Sequence, residues 1–129
     1  MGSAVAAPPA AADAAGPPPN VVQTEMRMLT QILEETIRGI GANDVSAIDE
    51  KLHALHAAKE ATDAAVTSGS YKLPKNSEGV AAFREMDEAF HTHLGALVKA
   101  SRANDVPAAS EAVSQIVRGC PSCHAVFRP

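Results

Sequence analysis

From Val21 to the end of the chain, apolar side chains recur at spacings of three and four, the period of helices that each bury one face. The first stripe, Val22, Met26, Leu29, Leu33, Ile37 and Ile40, follows Asn20, which with Gln23 three residues later forms a variant of a capping box, and it ends near Gly41. A second stripe, Val45, Ile48, Leu52, Leu55, Ala58, Thr62 and Ala65, has Asp44 as its expected cap and Ser68-Gly69-Ser70 as its stop. After a loop through Tyr71, Leu73 and Pro74, Ser77 is the candidate cap of a third helix with Val80, Phe83, Met86, Phe90, Leu94 and Leu97 on one face, ending near Ala103. The fourth begins at Asp105 and carries Val106, Ala109, Val113, Ile116, Cys120, Cys123 and Phe127.

Short first and third connections and a longer middle one predict an all-α fold, an antiparallel up-down-up-down four-helix bundle over residues 21–129. The repeated Ala-Asn-Asp-Val at Ala42 to Val45 and Ala103 to Val106 sits at the two tight turns, as expected of two helical hairpins, and chance reuse of a good turn sequence accounts for it equally well. Residues 1–20 are mostly Ala, Pro and Gly. Pro8, Pro9, Pro17, Pro18 and Pro19 forbid a helix there, so a disordered N-terminal tail or linker is expected.

A length of 129 residues allows one domain plus that tail. The tail lacks the charged start and apolar run of a signal peptide, and no other stretch is long and apolar enough for a transmembrane segment. A net charge of −4 with interspersed signs offers no basic patch, and Phe83, Phe90, Phe127 and Tyr71 are the whole aromatic complement, which argues against nucleic-acid binding.

The chemistry concentrates at Cys120-Pro121-Ser122-Cys123-His124, the attachment pattern of a c-type haem. Two thiols about one helical turn apart suit the two vinyl groups of one porphyrin, and the adjacent imidazole then reaches the iron. The chain has two cysteines, and both lie in this motif. Three other readings use the same atoms. A thioredoxin-type redox pair belongs near a βαβ pattern that is missing here, and a zinc site needs about four ligands, while His91 and His93 have the wrong phase to share a helical face. An incidental disulfide is the third. The leading expectation is one haem c, with its iron, per chain.

In an up-down-up-down bundle the end of helix four lies level with the start of helix one, which places Met26, on the apolar stripe, near the level of His124. His124 and Met26 are therefore the expected iron ligands, an electron-transfer arrangement, with Gln23 the competitor for the distal position and an ordinary core methionine the bland alternative. Tyr71, Leu73 and Phe127 are expected to shield the haem edge. His53, His56, His91 and His93 are expected to be solvated or boundary residues; His91 and His93 are placed roughly 20 Å up the bundle from the haem end.

These residues resemble the four-helix-bundle cytochromes: cytochrome c-prime, its six-coordinate relatives and the periplasmic four-helix b-type cytochrome. The resemblance covers about Val21 to Pro129. Phe83-Arg84, Leu94, Val106, His124, Phe127 and Arg128 follow the b-type member in order and spacing, Met26-Arg27-Met28-Leu29 is similar to its ligand segment, and Arg128 matches an Arg four residues after the His in the c-prime branch. The resemblance adds Phe127 and Arg128 to the cofactor-binding set of Cys120, Cys123, His124 and Met26. Aligned on Arg38-Gly39 to c-prime, however, the distal position falls on Gln23.

What the resemblance implies is a non-enzymatic c-type cytochrome serving a redox partner protein, with a five-coordinate haem binding NO or CO as the alternative. It also implies a periplasmic or otherwise exported bacterial protein whose native signal or anchor is absent from this sequence. Its oligomeric state is open, a homodimer included.

Overall fold

The computed structural model describes residues 20–129, so the expected tail lies, Asn20 apart, outside the described residues. Four helices follow in order: α1 (Val21–Gly41), α2 (Ile48–Ser68), α3 (Val80–Arg102) and α4 (Val106–Phe127). The expected capping box opens α1, where Asn20 Oδ1 accepts from the Gln23 N–H at 2.9 Å and the Gln23 side chain accepts from the Asn20 N–H. Asp105 caps α4 by accepting from the Ala108 N–H at 3.0 Å, and Pro107 stands in the first turn, where no intrahelical bond is lost.

The other two caps differ from expectation. Asp44 binds the backbone and hydroxyl of Ser46, shaping the turn ahead of a helix that starts only at Ile48, and α3 is preceded by Gly79 with no side-chain cap, leaving Ser77 in the loop. Gly69 ends α2 at φ 80°, a left-handed conformation that favours glycine.

Both repeated turns place their Asn in the left-handed region, Asn43 at φ 58° and Asn104 at φ 48°. They also touch each other. Asn104 Oδ1 accepts from the Val45 N–H at 2.9 Å, and the Ser101 hydroxyl donates to the Val45 carbonyl at 2.7 Å while accepting from the Asp49 N–H. At the opposite end the α2–α3 loop is fastened to the last turn of α4: Lys75 Nζ donates to the Ala125 carbonyl and Asn76 Nδ2 to the Val126 carbonyl. Each helix packs on the next and α4 closes on α1, giving the expected up-down-up-down bundle.

The apolar interior is in two parts. The larger cluster runs from Leu29 and Ile32 through Val45, Leu52, Leu55, Leu94, Leu97, Val113 and Ile116. A smaller one at the other end joins Val66, Leu73, Phe83 and Phe127, with Tyr71, Met86 and Cys123 against it. Phe83 and Phe127 meet edge to face at 5.4 Å.

On α1 the buried line is Glu25, Leu29, Ile32 and Thr36, which corrects the expected stripe: Ile37 is 57% exposed and Met26 lies on the flank. The residues at 25 and 36 are polar, so apolar spacing alone placed the face about one position too far round. On α2, likewise, Lys59 and Val66 are buried, flanking Thr62, where Ala58 and Ala65 were expected.

Candidate functional site

Between the two apolar clusters each helix changes character within the same layer. On α2, Lys59 and Thr62 intervene between Leu55 and Val66; on α3, Asp87 and His91 separate Phe83 from Leu94; on α4, Cys120 and Cys123 lie between Ile116 and Phe127; and on α1, Glu25 precedes Leu29. The layer is internally bonded. His91 Nε2 is 3.2 Å from Glu25 Oε1 and 3.3 Å from Asp87 Oδ1, while Lys59 Nζ donates to Asp63 at 2.7 Å and to Glu88 at 2.8 Å.

Burial alone pushes the His91 imidazole toward neutrality, but the hydrogen bonds and charges of Asp87 and Glu25 outweigh it and hold the pKa up at about 9. Burial likewise works against the Lys59 ammonium, and Asp63 and Glu88 reverse it, raising that pKa. Two polar atoms of this layer, Asp87 Oδ2 and Thr62 Oγ1, are buried with no hydrogen-bond partner.

This corrects the reading of His91 as a remote boundary residue. Glu25 is the fifth residue of α1 and His91 the twelfth of α3, so α3 begins about 10 Å farther toward the haem-motif end than α1 does. That offset brings His91 level with the first turns of α1. Phe90 beside it packs against Gly119, the residue before Cys120.

The motif itself ends α4. Cys120 and Cys123 are free, half-buried thiols, one turn apart; burial raises the pKa of both, and for Cys123 the Asp87 charge adds to it. The Cys120 thiol donates to the Ile116 carbonyl at 3.6 Å. His124 is half-buried, Phe127 is buried in the smaller cluster with Tyr71 and Leu73, and Arg128 is exposed. Lys75 is engaged with the Ala125 carbonyl.

Met26 is partly buried against the larger cluster, Met28 likewise, and Gln23 is exposed in the capping box. Among the described residues, the group of three potential ligands that lies close enough to hold a metal is Glu25, Asp87 and His91, and neither cysteine belongs to it.

The sequence profile described as cytochrome C′ matches residues 21–128. The chain belongs to the cytochrome c′ family. No curated protein and no solved structure matches it at a significant level.

Cytochrome c′ family membership makes this a c-type haem protein of a typically periplasmic family, and no described helix is long and apolar enough to cross a membrane. The residues present fit that group. Two thiols stand on one face of α4 at the break between the apolar clusters, an imidazole follows directly, and the same layer carries buried polar atoms without hydrogen-bond partners instead of interlocked apolar side chains. Sequence reasoning missed Glu25, Asp87 and Lys59 in this layer. On α1, α2 and α3 a charged residue beside the apolar stripe was visible in the sequence, but not that these residues share one height.

Proposed function

We propose that the chain is a one-electron carrier whose single haem c is held through Cys120 and Cys123, with His124 and Met26 as axial ligands and Phe127, with Arg128 after it, at the cofactor's edge. The observation that carries the reading is the Cys-x-x-Cys-His motif, lying where the apolar core is interrupted, with the thioether of Met26 partly buried on the facing first turns of α1. Bound there, the haem supplies the redox chemistry, and a thioether ligand raises its potential. The chain's residues do the rest. The cysteines fix the porphyrin to α4, His124 orients it, and the smaller cluster of Leu73, Phe83 and Phe127 keeps water from one side. The role is a carrier's and not an enzyme's, in an exported protein meeting a redox partner that its net charge of −4 inclines toward basic surfaces. A homodimer is compatible with it.

One observation favours a second reading, a five-coordinate haem that binds NO or CO. Glu25, and not Met26, occupies the most buried position of the first turns of α1.

The oxidised absorption spectrum separates the two. With Met26 bound, the protein is low-spin with a weak far-red sulfur-to-iron band; Met26→Ala becomes high-spin, drops in potential and binds carbon monoxide, whereas Met28→Ala changes none of these. A wild type that is high-spin and takes up carbon monoxide without mutation overturns Met26 ligation and makes gas binding the function.

A further inference from the structure

The electron-transfer reading uses the thiols, His124 and Met26, and leaves the charged residues of the same layer without a task. Ionised groups in a bundle core are costly, and a well-packed apolar layer would be at least as stable. Here they are nonetheless concentrated at one height. Glu25 and His91 bond across the diagonal of the bundle, since α1 and α3 are not packing neighbours, and Asp87 stands on α3, which packs on α4, where its charge helps to raise the pKa of the Cys123 thiol.

Glu25 and Asp87 flank the His91 imidazolium, and Lys59 lies among Asp63, Glu88 and, at 3.9 Å, Asp87, so four carboxylates face two cations and the layer carries an excess of negative charge. Glu25 is 3% exposed and Asp87 11%. Charges so placed act through a medium that screens them far less than water does.

We infer that Glu25 and Asp87 set the reduction potential of the haem, their buried negative charge stabilising the oxidised centre, which bears one more positive charge than the reduced one. The electron comes from and returns to the partner protein, and no bond is made or broken. The inference rests on haem attachment at Cys120 and Cys123. It does not require Met26 to be the sixth ligand, because the sign of a buried charge's effect is the same for either coordination.

The test is spectroelectrochemical titration of the holoprotein at pH 7 in low salt and in 1 M NaCl. Glu25→Gln and Asp87→Asn remove one charge each with little change of shape. Each is expected to raise the midpoint potential with the absorption spectrum unchanged, and the rise is expected to persist in high salt. Glu88→Gln, at an exposed carboxylate, serves as the comparison, and any shift it produces is expected to vanish in 1 M NaCl. A structural role alone would alter the spectrum or the fold without a salt-independent shift of fixed sign.

Potentials equal to the wild type, a fall in either variant, or a shift lost in high salt overturns the inference. Should one variant fail to fold, the other decides. A chain that carries no covalent haem shows no Soret band, which marks failure of the underlying reading separately.

Discussion

His91 stands between two carboxylates in the protein interior. His91 is held at a pKa of about 9, above its ordinary 6.5, by Asp87 and Glu25 acting against burial. Because the folded-state value is the higher one, the stabilisation is complete below pH 6.5 and is lost as pH rises through 9. Denaturant unfolding of the holoprotein is expected to show roughly 2 kcal/mol less stability at pH 9.5 than at pH 6, a figure reduced for solvent screening, and His91→Gln is expected to flatten that dependence. A profile unchanged by the substitution would mean that the triad contributes nothing. None of this was legible in the sequence, because periodicity fixes the face of a side chain and not its height against another helix. The height of α3 depends on the course of the loop from Gly69 to Gly79. Cys120, Cys123 and His124, by contrast, were legible at once, since their chemistry lies in contiguous residues.

At the level of elements, the four helices were readable in number, order and approximate limits, and the errors have local causes. Asn20 and Gln23 form a cap that depends on four consecutive residues, and it is present as expected; Asp44 and Ser77 failed as caps because the turns beyond them decide where the helices begin. The rotated face of α1 follows from Glu25 and Thr36, polar residues buried for their bonds, His91 for one and the Ile32 carbonyl for the other. Between α3 and α4 the close approach rests on Gly119, where an added Cβ would come within 2.8 Å of the Phe90 ring. Gly119→Ala is expected to push that ring aside and lower stability by about 1–3 kcal/mol. Since the displaced ring adjoins Cys120, a shift of the haem absorption should accompany the loss; a variant as stable as the wild type would show that α3 and α4 are not in such tight contact.

Across the whole molecule, the two hairpins are tied where their turns meet. Asn104 both adopts a left-handed backbone and accepts from the Val45 N–H, so Asn104→Ala is expected to cost about 2 kcal/mol, the sum of a strained φ and a lost bond, measurable as a lowered denaturation midpoint with an unchanged haem spectrum. A spectral change would mean that the two ends are coupled. That tied end holds the larger apolar cluster, whereas the other holds a charged layer, two free thiols and a small aromatic cap. A porphyrin is a wide, stiff plate, and it enters a chain only where helices can part. In this bundle the tied turns keep the four helices in register at the far end, which leaves the motif end to accommodate the plate. The fold is thus a clasp fastened at the end away from the motif, and loading of the cofactor is expected to displace side chains at the motif end and leave the tied end closed.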